Sequence, residues 1–432
     1  MHARTKGEHV DFSDIEVNQD VLERTNPVFN TAKMTLFQLI GSGNQDAAAL
    51  VDKLGLTFED TQNSATSAAL PEQLVVSTVC MESRYRTMAK LAEEARCSVN
   101  VDLPCGYTPR AIEFSRKGLR FIGLDIPAAI AEAEPAIMSL IEPDRRDLVS
   151  FAGVDATNYE SLEEALQDVS GTVCITTEGL FMYFTDVEIG ALCENVRRIL
   201  TKHGGVWFAA DPEVAMIYAQ ILMAVCGDRF MEVMANAKRL ANEKSDGSLG
   251  NNSLVVRPQD AEGSMRAAMA FLARHGLNAE RMVVYDHMPT LSSLDQLTPQ
   301  QRAAVEEALK RCAFWKITLA DGAQELDTTQ YAAKGFGVSA RLSDGVLRLV
   351  LTGRLDTITS PNLLAFYEKH AEEIQAVDLD CSQLSYLSSA GLRVLVMMQK
   401  GCSGGVTMQC VNEEVREILC QTGLDTIFTI LE

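Results

Sequence analysis

What this 432-residue chain lacks narrows its function first. It has no run of some 20 apolar residues, the length a helix needs to cross a bilayer, so a membrane is not expected as partner. The opening MHARTKGEHVDFSD has no apolar core of the kind that directs secretion, and it reads as a loose terminus. Cysteine is not organised: eleven residues, an odd number at scattered positions without C-x-x-C spacing, predict reduced thiols in a cytoplasmic protein rather than a disulfide framework or a zinc site. None of the six histidines is paired at ligand spacing, and no metal is expected.

Positive charge is also short. Lysine and arginine number 38 against 59 acidic residues, a net charge of −21. The deficit extends to the end of the chain, where residues 335–432 hold 7 basic against 12 acidic side chains. Neither part offers the cationic footprint that a phosphate backbone demands, which excludes nucleic acid as partner or substrate. The remaining composition, 47% hydrophobic and 22% charged, is that of a globular protein, and the length predicts two or three domains.

The pattern that organises the chain is VNVDLPCGYTPRAIEFSRKGLRFIGLDIP, residues 99–127. Val99, Val101 and Leu103 alternate as a strand, Pro104-Cys105-Gly106 breaks it, Thr108 through Lys117 has helical spacing, and Leu119 to Leu124 is a second strand ending on Asp125. An acid roughly 20 residues beyond the turn is where a β-α-β nucleotide site holds a ribose hydroxyl. A dinucleotide fingerprint needs three glycines so that backbone can approach a pyrophosphate, whereas Gly106 stands alone here, beside Asp102, Pro104 and Tyr107. S-adenosylmethionine, an adenosine without phosphate, suits the turn better than NAD.

LPCGYTPRA followed by FIGLDIP resembles the first two motifs of the leucine carboxyl methyltransferase family, a branch of the class I S-adenosylmethionine-dependent methyltransferases that includes small-molecule O-methyltransferases. The resemblance implies an α/β fold with a Rossmann-like sheet and helical additions over residues 1–320. It implies that Leu103, Pro104, Gly106, Asp125 and Ile126 contact the cofactor. It also implies an arginine, from the helix before the first strand, on the cofactor carboxylate. Arg84 is preferred to Arg86 within MESRYRT, on a helix expected over Leu74–Leu91; the alternative is that both are solvated helix charges. VDATNYESL resembles the third motif, with Asp155 accepting from the adenine amino group and Ala156 beside the ring, although D-A-T-N also suits a helix start capped by Thr157 or Asn158.

GTVCITTEGLFMYFTDVEIG gives a buried strand, Thr172–Thr176, with Glu178-Gly179-Leu180-Phe181-Met182-Tyr183 at its carboxyl end, where open α/β sheets bind ligands. A charge there needs a partner or a ligand, so Glu178 either holds the donor's amino group or orients an acceptor. Tyr183 is read as a site hydroxyl or as a satisfied core tyrosine. A fifth strand, Val206–Ala210, ends on Asp211, which with Glu178 is a candidate base. The Met-rich segment that follows, over residues 212–252, is expected to cover the acceptor, or else to pack in the core or against a second copy in a homodimer. Arg281–His287 and Phe314–Leu319 read as the last strands, separated by a helix over Thr298–Cys312.

Residues 321–334 are polar and patternless and read as a linker. Beyond them strands are expected at Val338–Arg341, Val346–Thr352, Ala376–Leu379, Val406–Cys410 and Thr429–Leu431, with helices at Ser360–Ile374, from Ser389 and at Glu413–Thr422. GRLDTITS and DLDCSQLSYLSSAGLRVL resemble the STAS domain, named for sulphate transporters and anti-sigma factor antagonists, over residues 335–432. The resemblance marks Ser389, before Ala390-Gly391, as a phosphorylatable serine read by a kinase or regulatory partner, with Asp356 as the acidic neighbour. Ser388 departs from the aspartate that antagonists often carry there, and Ser389 also reads as a plain helix cap.

The expected activity is therefore methyl transfer from S-adenosylmethionine to a hydroxyl or carboxylate oxygen of a small-molecule acceptor, releasing S-adenosylhomocysteine, with the STAS module regulating it. The rival is a non-catalytic cofactor-binding scaffold whose output is partner binding through the STAS surface. A third alternative is an NAD-binding protein.

Overall fold

The computed structural model describes residues 28–58, 70–242, 252–320, 324–343 and 345–430. The chain divides into two compact units at Leu319 and Ala320.

In the first unit, α1 (Val28–Gly41), α2 (Gln45–Leu54) and α3 (Pro71–Ala95) precede the sheet. Then follow β1 (Val99–Asp102), α4 (Arg110–Arg116), β2 (Phe121–Asp125), α5 (Pro127–Leu140), β3 (Val149–Gly153), α6 (Tyr159–Ala165), β4 (Val173–Thr177), α7 (Asp186–His203) and β5 (Gly205–Ala209). The unit closes with α8 (Val214–Cys226), α9 (Phe230–Asn242), α10 (Ala261–Arg274), β6 (Leu277–Val283), the single turn α11 (Val284–His287), α12 (Pro299–Leu309) and β7 (Ala313–Leu319).

The strands form one seven-membered sheet in the order β3-β2-β1-β4-β5-β7-β6. Strands β1 to β5 are parallel, and β7 runs antiparallel between β5 and β6. The expected α/β fold class is the one observed. Period-two alternation sends Val99, Val101, Ile175 and Trp207 into a core beneath α6, α7 and α10, while Cys174, Val206 and Phe208 face a second core with α1, α3, α8 and α12. Parallel strands buried on both faces carry continuous apolar runs, which is why VCIT and VWFA were legible. All carboxyl ends of β1 to β5 consequently point to one edge, where the ligand crevice of such sheets lies.

Several expectations are corrected. The sixth strand starts four residues earlier than expected, at Leu277, because Leu277 is buried against α10, and Val284–His287 is helical rather than extended. Helix α3 runs to Ala95, longer than read. Part of the helical reading of residues 30–70 lies outside the described residues. The segment Val214–Asn236 is long and apolar enough, by length and composition, to cross a membrane, against the expectation of none. It is interrupted after Cys226 by a 3₁₀ turn containing Asp228 and Arg229, and Ile217, Ile221 and Leu222 of α8 are buried in the core shared with α3 and α12.

The second unit contains β8 (Gln324–Leu326), β9 (Phe336–Ser343), β10 (Val346–Leu355), α13 (Ser360–His370), β11 (Ala376–Leu387), α14 (Ser389–Gly401), β12 (Val406–Gln409), α15 (Glu413–Thr422) and β13 (Thr429–Ile430). Its sheet has the order β13-β12-β11-β10-β9-β8. The stretch 321–334, read as linker, contains β8, paired antiparallel to β9, and Tyr331, whose ring meets Phe366 edge-on at 5.3 Å. Three residues are too few for alternation to register. The Asp344-Gly345 turn is described from Gly345 onward, which takes φ 76°.

Candidate active site

A cavity of about 300 Å³ lies at the carboxyl edge of the first sheet. The turn after β1 supplies Leu103, Pro104 and Gly106, the tip of β2 supplies Asp125 and Ile126, and the segment after β3 supplies Asp155 and Ala156. The segment after β4 adds Glu178 and Tyr183, and α3 adds Arg84. Ten of the eleven residues expected to meet the cofactor or act on it thus line one cavity; Asp211 does not.

Backbone hydrogen bonds tie the strand tips together. Gly106 N–H donates to Asp125 Oδ2 and Ile126 N–H to Asp125 Oδ1, both at 2.8 Å. The Asp125 carbonyl accepts from Val154 at 2.7 Å, joining β2 to the start of the third segment. Withdrawal from water raises the Asp125 pKa to about 6, against the opposing pull of the two amides. Gly106 takes φ 54° and Gly179 φ 77°, and at both positions an added Cβ would meet no atom within 4 Å. Each is a left-handed residue beside empty space, so backbone is open to a ligand there.

Asp155 Oδ1 accepts from both the amide and the hydroxyl of Thr157, at 2.8 and 2.7 Å. The cap of α6 is Asn158, which accepts from Ser161 at 3.0 Å, so of the two cap candidates in D-A-T-N it is Asn158 rather than Thr157 that starts the helix. Asn195 of α7 donates to the Ala156 carbonyl at 3.0 Å and fixes that wall.

Asp211, a candidate base, is 3% exposed, and its carboxylate accepts from the amides of Gly179, Leu180 and Phe181. A carboxylate so occupied shapes the loop after β4 and is not presented to a reacting atom. Asn252 fixes the same loop, donating to the carbonyls of Phe181 and Phe184 at 2.6 and 2.9 Å. Tyr183 lines the cavity, and burial, followed by the Asp211 charge, pushes its pKa up to about 12.

Glu178 lies between two guanidinium groups. Arg84 Nε donates to Oε2 at 3.2 Å, and Arg110 donates to Oε1. Arg86, the rejected alternative, faces away: it pairs with Glu82 at 3.1 Å and donates to the Thr290 carbonyl at 2.7 Å. Arg110 was missed in the sequence. It is 2% exposed and its Nη1 contacts both oxygens of Asp102 at 2.8 Å. Two buried carboxylates, Asp102 and Glu178, call for a buried cation. Arg110 is the one basic residue in LPCGYTPRA, and that was the available signal. Burial raises the Asp102 pKa to about 6 despite Arg110.

The cover differs from expectation. The roof is α1, through Ala32, Met34, Thr35 and Gln38, with Met81 and Met182 beside it. None of residues 212–236 lines the cavity, because α8 packs its apolar face in the core against α3 and α12, the alternative reading of this segment; the side chains of residues 237–251 lie outside the described residues.

In the second unit, Ser388 caps α14: it accepts from Gly391 N–H at 3.3 Å and donates to the Leu355 carbonyl at 3.2 Å. Ser389 is therefore the first helical residue, not the cap, and is exposed. Asp356 accepts from the amides of Ile358 and Thr359 at 2.9 and 3.2 Å, bonds that hold its pKa below the usual range.

Residues 338–432 match the family model described as Mlab, STAS domain. Among solved structures, an anti-sigma factor antagonist from Mycobacterium paratuberculosis is 24% identical, covering 23% of this chain and 87% of its own, with a TM-score of 0.22. The first unit is similar to the SAH-bound magnesium protoporphyrin IX methyltransferase from Synechocystis PCC 6803, at 12% identity over 61% of this chain and 86% of that one, TM-score 0.28. It is also similar to human N-acetylserotonin methyltransferase in complex with SAM, at 11% identity over 63% and 62%, TM-score 0.30. The search of curated proteins found no match.

Proposed function

We propose that the first unit is an S-adenosylmethionine-dependent methyltransferase acting on an oxygen of a small molecule, and that the STAS module regulates it. The observation that carries this reading is one cavity with a carboxylate at one end and an ion pair at the other. Asp125 receives one amide on each oxygen, which leaves each with a lone pair for a ribose hydroxyl. Arg84 and Glu178, at the other end, suit the carboxylate and ammonium of an amino acid. The open backbone at Gly106 and Gly179 fits a ligand pressed against the turns, and the single glycine of the β1 turn suits a nucleoside without pyrophosphate.

In this assignment Asp125 orients the ribose, Asp155 and Ala156 border the base, and Leu103, Pro104 and Ile126 form the apolar walls. The bound cofactor supplies an activated methyl group whose leaving group is a neutral thioether. The chain aligns the acceptor and excludes water. Met34, Met81 and Met182 give the acceptor side an adaptable apolar surface, and the protonated Tyr183 hydroxyl is a donor for the acceptor oxygen. Glu178, engaged by two arginines, is assigned to binding rather than proton transfer. An acceptor that arrives as an anion, a carboxylate or an acidic phenol, needs no base. No disulfide joins the cysteines among the described residues, and reduced thiols suit a cytoplasmic setting.

Calorimetric titration with S-adenosylmethionine, S-adenosylhomocysteine and NAD tests the cofactor. Binding of the first two and not the third is expected; binding of NAD alone, or of none, overturns the reading. Release of S-adenosylhomocysteine in a metabolite extract tests turnover. The exposed Ser389 favours a second reading, a cofactor-binding scaffold switched by phosphorylation, which stands if binding is found without turnover.

A further inference from the structure

Arg110 lines the cavity wall, and both of its Nη groups are committed within the protein. Its Nη1 is committed to Asp102, and its Nη2 to Glu178 and to the Tyr85 carbonyl at 3.3 Å. Its Nε, buried, has no partner among the described residues. The guanidinium lies over the Tyr85 ring, 4.8 Å from the centroid, which fixes its plane. Asp102 is anchored from the other side by the Thr176 hydroxyl and cannot swing away.

We propose that Arg110 is a positioning residue for the amino-acid end of the cofactor, acting through Glu178. This rests on the S-adenosylmethionine reading above. Asp102 and Glu178 both lie beside Arg110, and the planar fork lets one cation hold both in fixed orientation. Without it, Asp102 and Glu178 lose their shared cation and Glu178 is left with Arg84 alone, the cation assigned to the ligand carboxylate, so that both partners for the amino-acid group are disturbed together. The nucleoside end is held separately: Asp125 is oriented by Gly106 and Ile126, and Asp155 by Thr157. A lysine keeps the charge but cannot bridge both acids.

The test compares two ligands that share a nucleoside and a thioether: S-adenosylhomocysteine, and 5′-methylthioadenosine, which lacks the amino acid. Wild type, Arg110→Lys, Arg110→Met and Glu178→Gln are titrated with each. Arg110→Lys is expected to weaken S-adenosylhomocysteine on the order of 10- to 100-fold and to leave methylthioadenosine unchanged. Adding Glu178→Gln to Arg110→Lys should cost little more than either alone, since both remove the same contact. Equal losses for both ligands mean a merely structural role and overturn the proposal, as does unaltered S-adenosylhomocysteine affinity. Should Arg110→Met fail to fold, the lysine variant decides. If wild type binds neither ligand, the methyltransferase reading itself has failed, and this proposal falls with it.

Discussion

The amide of Gly106 donates to Asp125 Oδ2 at 2.8 Å, so the turn after β1 and the tip of β2 hold each other in place. One hydrogen bond thereby fixes both the backbone that a nucleoside would touch and the carboxylate that would receive its hydroxyls. Asp125→Asn replaces an acceptor pair by one acceptor and one donor, and the new N–H₂ faces an amide. S-adenosylhomocysteine affinity is expected to fall by at least about 10-fold, measured by calorimetry; an unchanged affinity removes Asp125 from the site.

The same carboxyl should give the protein a pH signature. Its folded pKa, near 6, exceeds the ordinary 3.8, so between these values the folded chain holds a proton that the unfolded chain has lost. Its contribution to stability is therefore present at the acid end of the window and lost as pH rises through about 6. Ligand binding needs the ionised form, so nucleoside affinity should fall as pH drops from 7 to 5. Asp125→Asn should flatten both profiles, in melting and in titration, although Asp102, also near 6, keeps part of the slope.

Asp211 accepts three consecutive amides of the loop after β4, and its removal strands buried donors. Asp211→Ala is expected to destabilise the first unit by about 3 kcal/mol, read by urea unfolding through Trp207 and Trp315, both buried there. Residual turnover should keep the wild-type pH profile. A lost acid limb in that profile would restore Asp211 as a base.

An ion pair ties the roof to α5. Lys33 of α1 pairs with Glu132 of α5 at 2.6 Å, and the Tyr107 hydroxyl donates to the other Glu132 oxygen at 2.6 Å. Lys33→Met should speed release of S-adenosylhomocysteine by about three- to fivefold, the worth of a partly exposed ion pair, in a stopped-flow displacement assay. Unchanged release would mean that α1 does not gate the cavity.

At the start of α14 neighbouring positions should behave differently. Ser388→Ala removes the cap, at a cost of about 1 kcal/mol. Gly391→Ala brings a methyl to 2.7 Å from the Leu355 carbonyl oxygen and should destabilise more. Ser389→Ala, at an exposed site, should stay within about 0.5 kcal/mol. Hydrogen exchange over residues 388–401 in the full chain ranks the three; a Ser389 effect as large as that of Ser388 would contradict the assigned cap.

The sequence by itself determined the strands β1 to β5 and their turns, the acid that closes each motif and the restart of alternation near residue 336. These are local signals: period two or 3.6 written over a few residues, and glycine or proline where the chain must turn. Tertiary structure decided what each charged or amphipathic element meets. Arg110 became an anchor because folding brought it to Glu178, 68 residues away, and Asp211 turned to amides rather than to the cavity. The Met-rich segment advertised an apolar face but not its partner, and α3 with α12 claimed it, leaving α1 as the roof. Periodicity states that a surface must be buried; only the packed chain selects what buries it, since apolar contact is non-directional and buried charges take whichever counter-charge the fold delivers.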